Sequence, residues 1–212
     1  MLNRVLRHNL RNDLNVVMLS AEWLAEHVDD SLRERAEALR DSAADLAGLS
    51  EKAQEIERMI GRRGAATGPV DVVPILDRVV SSYRDAHPEA TLSVDLPSEL
   101  WVRADENLDR VFEELIENAI VHNDDPSPTL RIEATTRADR VSIHFHDDGD
   151  GLPDDEWRVV AGETNITQLT HGSGLGLWLV RWAIDSYGGV VHRRRSDDSG
   201  TTIELDLRPA AE

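Results

Sequence analysis

Cysteine is absent from this 212-residue chain, and lysine nearly so: Lys52 is the single example among 23 basic residues. Without thiols there can be no disulfides and no thiolate metal sites. Long apolar runs are missing too. None reaches the ~20 residues of a membrane span, and Met1-Leu2-Asn3-Arg4 lacks the apolar core of a signal peptide. These absences predict no direct membrane insertion and a cytoplasmic location. Proline is missing from the first 60 residues, where Gly48 is the only glycine, so little there interrupts a helix.

What the chain has in excess is negative charge, 41 acidic residues against 23 basic, for a net charge of -18. Such a surface repels the phosphates of nucleic acid and of anionic membranes, which argues against both as partners. It also repels itself. That suits a protein adapted to high salt, where charges are screened, and the composition reads as halophilic.

Apolar residues recur at steps of three and four along Leu2, Val5, Leu6, Leu10, Leu14, Val17 and Ala21. They do so again along Leu32, Ala36, Leu39, Ala43, Leu46, Leu49, Ala53, Ile56 and Ile60. These are two long helices, each with one apolar seam. Asp29-Asp30-Ser31 marks the break, with Asp30 or Ser31 able to cap the second helix. A two-helix hairpin cannot bury so long a seam alone. A second copy would complete a four-helix bundle, which predicts a homodimer; packing of the hairpin on its own C-terminal domain is the alternative.

Residues 61–69, rich in glycine and arginine, form a composition break and predict a linker. Beyond it helices and strands mix. A helix is expected after Pro74, a strand over 91–95 and a helix over 105–122. That helix turns Leu108, Val111, Phe112, Leu115, Ile116 and Ala119 to one face. A strand pair follows at 130–136 and 140–146, then a helix at 175–187 and a closing hairpin at 190–195 and 201–207. Elements in runs rather than strict alternation predict an α+β sandwich with helices on one sheet face.

Three motifs carry chemistry. In Asp147-Asp148-Gly149-Asp150-Gly151 a strand ends in a carboxylate, followed by glycines that permit tight turns. A buried carboxylate there could accept a hydrogen bond from an exocyclic amine such as that of adenine. A calcium loop fits poorly, because Val159 stands where its closing glutamate belongs. Gly172-Ser173-Gly174-Leu175-Gly176-Leu177 opens a helix, where bare amides and the helix dipole favour phosphate oxygens. The aperiodic stretch 162–171 before it has the composition of a flap. With few cations available, backbone and a metal ion must carry more of the neutralisation. Finally, Glu114, Asn118 and His122 lie one turn apart on a single helical face, either solvated or lining a cavity. Asn118 can coordinate magnesium through its amide oxygen, and Glu114 could orient water or a hydroxyl beside it.

The order of these pieces resembles the nucleotide-binding domain of the sensor histidine kinases, within the group shared with gyrase, heat-shock chaperone and mismatch-repair ATPases. The resemblance covers residues 1 to about 208. It implies a dimerisation and phosphotransfer hairpin over 1–62 and an ATP-binding α/β sandwich over 69–208. It assigns Asn118 to Mg2+, Asp147 to the adenine amine, and Gly149 and Gly151 to the turn beneath the base. Gly172, Gly174 and Gly176 would form the lid edge at the phosphates, with His122 supplying part of the phosphate contact and Thr201 near the adenine. His8 becomes the phosphoacceptor, since a neutral imidazole is a competent nucleophile on a helix surface. Arg11 and Asn12 match the pattern after it, and Asn12 is where the family often positions water to remove phosphate from a partner's aspartate. Three positions depart from the pattern: Asn9 for an acidic residue, Asp13 for a kinking proline, and Val121 for a lysine or arginine.

The resemblance therefore implies a kinase core that binds ATP and Mg2+, phosphorylates His8 and passes the phosphoryl group to an aspartate of a response-regulator receiver domain. Two alternatives stay open. One is an ATP hydrolase in which Glu114 activates water; the other is a nucleotide-binding dimer that mainly dephosphorylates its regulator through Asn12. His8 lies so near Met1 that a sensor module is expected either in a longer parent chain or in a separate protein.

Overall fold

The computed structural model describes residues 2–61, 67–161, 173–197 and 200–211. The chain divides into two compact units, Met1–Gly61 and Arg62–Glu212.

In the first unit, helix α1 spans Leu2–His27 and helix α2 spans Asp30–Gly61. The break falls one residue earlier than expected. The Asp29 carbonyl accepts the first bonds of α2, from the amides of Leu32 at 2.9 Å and Arg33 at 3.1 Å. Asp29 is therefore the last non-helical residue, and Asp30 already belongs to the helix, which corrects the expected cap at Asp30 or Ser31. Arg33 reaches back to donate to the Ala25 carbonyl at 3.1 Å, satisfying an acceptor that the end of α1 would leave bare. Burial also divides the expected seam. Leu14, Ala21, Ala36 and Ala43 are buried, whereas Leu32, Leu39 and Leu46 remain 50, 49 and 53% exposed. Val16, Leu19 and Trp23 of α1 are exposed as well. Small side chains let two helices approach closely, and the leucines at seven-residue spacing are left facing outward.

The second unit begins with strand β1, Gly68–Asp71, which pairs antiparallel with β3, Trp101–Ala104. Neither strand was expected, since at four residues each is too short to show a period. Asp71 ends β1 and caps helix α3, Val72–Ala86: its Oδ1 accepts from the Val73 amide at 3.2 Å and the Leu100 amide at 3.0 Å. Pro74 sits inside the first turn of α3 rather than before it, where its missing N–H costs nothing. Strand β2, Thr91–Asp95, and helix α4, Leu108–Ile120, follow. The apolar face expected of α4 is buried in full.

Strands β4 (Thr129–Thr136), β5 (Val141–Asp147), β6 (Val190–Asp197) and β7 (Gly200–Leu207) join β2 in a five-stranded sheet of order β2-β4-β5-β7-β6. Only the β2–β4 pair is parallel. The two expected hairpins, β4–β5 and β6–β7, are both present. Helix α5, Asp154–Val160, was not expected, being seven residues long, and α6 spans Ser173–Ser186. Helices α3, α4 and α6 pack on the sheet, with Leu130, Ile132, Ile143, Phe145, Leu205 and Leu207 buried from the strands.

The alternate strand positions carry polar groups. Because β7 is central, even its polar residues Glu204 and Asp206 are buried, and each is paired. Asp206 accepts from Ser142 Oγ at 2.5 Å and Arg140 at 3.0 Å, and Glu204 is bonded by Arg194, whose guanidinium holds its carboxyl below the usual range.

One part-buried contact ties the end of α6 to the start of α4. The Tyr187 hydroxyl, just past α6, donates to Asp105 Oδ1 at 2.6 Å. The same oxygen accepts from the Asn107 amide at 2.9 Å and side chain at 3.0 Å, shaping the entry to α4. Burial and then Asp105 push the Tyr187 hydroxyl far above its ordinary pKa. Bonds to charged acceptors contribute about 1.5–3 kcal/mol. Tyr187→Phe is thus expected to lower the unfolding free energy of the protein by about 2 kcal/mol, measured by urea titration; an unchanged midpoint would show that the contact contributes nothing.

Candidate functional site

Two strand ends meet where β5 stops and β7 starts, and the site grows from that meeting. Asp147 is the last residue of β5, and its Oδ1 accepts from the Thr201 amide of β7 and from the Gly149 amide, both at 3.1 Å. Its second oxygen has no hydrogen bond among the described residues. Burial raises the Asp147 pKa; the amides of Thr201 and Gly149 oppose this without cancelling it. Asp148, its neighbour, goes the other way. Burial also acts on it, but bonds from Thr129 and Asn123 outweigh that and hold its carboxyl below the usual range. One carboxylate of the pair serves structure, bridging Thr129 and Asn123, and the other faces the cavity.

The close approach of β5 and β7 depends on glycine. Gly200 has φ +121°, and a Cβ built on it would lie 1.9 Å from the Asp147 carbonyl oxygen. No other residue fits there. Gly151 turns the following loop with φ +92°.

Above this junction lies a cavity of about 300 Å³, at the lower end of the range for small-ligand pockets. Helix α4 supplies Leu115, Asn118 and Ala119. The helix ends at Ile120, short of the expected 122, so His122 enters from the turn beyond it, and the loop after β5 supplies residues 149–153. Phe145, Ile203 and Leu177 add apolar surface, with Asp147 and Thr201 at the strand ends. Apolar walls with the Asp147 carboxylate at the strand ends suit a flat, amine-bearing ring. Asn118 adds a second polar feature: its Nδ2 is buried without a hydrogen-bond partner among the described residues. An orphaned buried polar atom costs about 1–3 kcal/mol, so an amide kept in this state inside a cavity is poised for a ligand.

Of the residues singled out from the sequence, Asn118, His122, Asp147, Gly149, Gly151 and Thr201 all line this one cavity. Glu114 does not. It lies one turn before Asn118 on α4, buried and outside the lining. Gly174 and Gly176 sit in the first turns of α6, from which Leu177 reaches the cavity. Gly172 and the stretch 162–171 lie outside the described residues. So do the side chains of His8 and Asn12, whose backbone belongs to α1.

Other contributors were not singled out in the sequence. Asn123 lines the cavity while donating to the Ala119 carbonyl at 3.3 Å and to Asp148 Oδ1 at 3.1 Å. Its Oδ1 accepts from the Asp125 amide at 2.9 Å, the side-chain turn that Asn-Asp-Asp-Pro favours and the signal that could have marked it. Leu152 and Gly200 are two more, and only the pairing of distant strands reveals their roles.

No group of three or more His, Cys, Asp or Glu side chains among the described residues is arranged to hold a metal ion. A magnesium ion does not need one, since it commonly takes one or two protein oxygens and completes its shell with phosphates and water.

Comparison with known proteins adds the following. The family described as histidine kinase-, DNA gyrase B- and HSP90-like ATPase matches residues 104–211. The sensor-like histidine kinase SenX3 of Mycobacterium bovis is 29% identical over 211 residues, covering 94% of this chain and 51% of that protein. The sensor-type histidine kinase PrrB of Mycobacterium leprae is 27% identical over 206 residues, covering 94% and 46%. The chain thus spans about half the length of the curated relatives it matches. Among solved structures, a mycobacterial sensor histidine kinase, MprB, superposes with a TM-score of 0.57 at 23% identity, over 68% of this chain and 99% of that one. Full-length ShkA in complex with AMPPNP gives a TM-score of 0.67 at 22% identity, over 99% of this chain and 46% of that one. These two likenesses establish a shared fold.

The junction at Asp147 generates two predictions. Gly200→Ala should destabilise the protein by roughly 1–3 kcal/mol from backbone strain alone and abolish adenine-nucleotide binding; retention of wild-type affinity in calorimetry would contradict it. For Asp147 the sign follows from its raised folded-state pKa. The stability it contributes is complete below the ordinary carboxylate range and is lost as pH rises through the raised value. Asp147→Asn should therefore raise the Tm of the ligand-free protein at neutral pH while weakening nucleotide binding. That Tm advantage should shrink as the pH is lowered; an advantage independent of pH would exclude this cause.

Proposed function

Because the chain belongs to the histidine kinase-, DNA gyrase B- and HSP90-like ATPase family, we propose that it is the catalytic core of a two-component sensor histidine kinase. The observation that carries this reading is the single cavity that gathers Asn118, Asp147 and Thr201 from three separate elements. ATP enters with its adenine amine on the free oxygen of Asp147 and its ring between the apolar walls. Asn118 holds Mg2+ by its amide oxygen, with His122 near the phosphates and the lid edge at Gly172, Gly174 and Gly176. The metal ion, when bound, neutralises charge on the phosphates and lowers the repulsion met by an incoming nucleophile.

A ring nitrogen of His8 attacks the γ-phosphorus. A P–N bond forms, the bond from phosphorus to the β,γ-bridging oxygen breaks, and ADP leaves. The phosphoryl group then passes to an aspartate on a response-regulator receiver domain. Positioning and charge neutralisation supply most of the acceleration in such transfers. Asn12, one turn beyond His8, orients water for the reverse task of removing phosphate from the regulator. Glu114, buried one turn before Asn118 and outside the lining, makes no contact with the nucleotide on this reading.

The protein works as a homodimer on this reading. Leu32, Leu39 and Leu46 recur every seven residues along α2 as an exposed apolar stripe that a second copy would cover in a four-helix bundle. None of the described helices is long and apolar enough to cross a membrane. The net charge of -18 fits a cytoplasm of high ionic strength.

The test is incubation with γ-labelled ATP and magnesium at high and low salt, beside His8→Ala and Asn118→Ala. Acid-labile label in the wild type, lost in both variants and strongest at high salt, is expected. Acid-stable label, or label that survives His8→Ala, would refute the assignment. Absence of label with phosphate release that depends on Glu114 would point to a hydrolase of the same family.

A further inference from the structure

The cavity wall opposite α4 is a loop with no regular structure of its own, and it is held by side chains of the edge strand β6. Ser196 Oγ accepts from the Leu152 amide at 2.6 Å and donates to the Leu152 carbonyl at 3.0 Å. Arg193 Nη1 donates to that same carbonyl at 2.9 Å. Its Nη2 pairs with Asp154 at 2.6 Å, and the guanidinium carbon lies 5.3 Å from the centre of the Trp157 ring on α5. Both backbone polar groups of Leu152 are thus satisfied by β6, at a residue that lines the cavity.

The register of β6 explains how two residues three apart can reach one peptide. In a regular strand, positions 193 and 196 point to opposite faces. Here Arg193 pairs with Ile203 but Arg195 pairs with Thr202, so Arg194 is an extra residue and the strand bulges. Ser196 then stands opposite Thr201, and Arg193 opposite Ile203. Those two β7 residues share a sheet face and both line the cavity. The bulge therefore turns Arg193 and Ser196 toward the site, while Arg194 bonds Glu204 among the polar strand positions.

We propose that Arg193 and Ser196 are positioning residues for the nucleotide base, acting through the Leu152 peptide that forms one wall of its pocket. The proposal rests on the nucleotide-binding reading above and adds residues to it. A wall set by β6 moves with the sheet that carries Asp147 and Thr201, so the wall and the carboxylate keep a constant separation across the width of the ring. Release of the peptide would let the wall recede, and the loss would fall on the part of the ligand it touches. The adenosine portion is common to ADP and ATP, so both should weaken by the same factor.

The experiment is calorimetric titration of the full chain with ADP and with ATP, for the wild type, Ser196→Ala, Ser196→Thr and Arg193→Met, with a thermal melt of each. Arg193→Met keeps an apolar stem against Trp157 and removes the hydrogen bonds. Ser196→Ala and Arg193→Met are expected to weaken both nucleotides roughly tenfold, leaving the ADP-to-ATP affinity ratio unchanged, and Ser196→Thr to restore binding. Wild-type affinities in both loss variants would overturn the proposal, as would a loss confined to ATP, which would place the effect at the phosphates. A lowered Tm with unaltered affinities would also overturn it, reducing the contact to a role in folding. Failure of the wild type itself to bind either nucleotide would instead sink the nucleotide reading, and this inference with it.

Discussion

The bond between the Thr201 amide and the Asp147 carboxylate is the constraint on which the rest of the C-terminal unit turns. It requires β5 and β7 to be adjacent in the sheet although more than fifty residues separate them in the chain. It requires Gly200 to occupy a backbone conformation denied to side chains, because the Asp147 carbonyl fills the space a Cβ would take. Once made, it orients the carboxylate, leaving one oxygen for a ligand. Asn118 is then brought opposite by the packing of α4, whose buried face of Leu108, Val111, Phe112, Leu115, Ile116 and Ala119 has one rotational solution against the sheet. The cavity is the space left between them.

On the proposed reading, an acidic protein would have to take an anionic nucleotide with few cations at hand. No lysine or arginine is among the described residues that line the cavity. Arginines of β6 and α6 are spent on structure: Arg193 on the loop wall, Arg194 on Glu204, and Arg181 on the Val160 carbonyl at the end of α5. On the proposed reading, phosphate charge would be left to backbone amides, the start of α6 and a metal ion. The adjacent carboxylates Asp147 and Asp148 show how finely environment divides identical chemistry. Burial lifts the first, while side-chain and backbone donors depress the second, so one is prepared for a ligand and the other holds a loop.

How much was legible in the residues depended on the length of the signal. Helix α4 and the hairpins β4–β5 and β6–β7 were readable because each repeats its period several times. The strands β1 and β3 were not, for four residues do not distinguish a period, and nor was α5, whose seven residues make only about two turns. In the first unit the apolar seam was visible but its division was not: only packing decides that Ala36 and Ala43 are buried while Leu32, Leu39 and Leu46 stay outside. At the site, the glycines and aspartates stood out by residue type. Asn123, Leu152, Arg193 and Ser196 did not, because nothing in an asparagine or an arginine announces which distant peptide it will bond.

The sequence by itself determined the class of the protein, through an ordered set of local motifs, and it determined the charge, the absence of thiol chemistry and the helical opening. Those are properties of composition and of neighbours along the chain, which need no folding to be expressed. The tertiary structure alone decided which of the motif residues share a cavity, that Glu114 is buried beside it rather than within it, and that a single bulge at Arg194 turns two residues of an edge strand toward the site. Those outcomes follow from strand pairing and register, where shifting one residue exchanges the faces of everything beyond it.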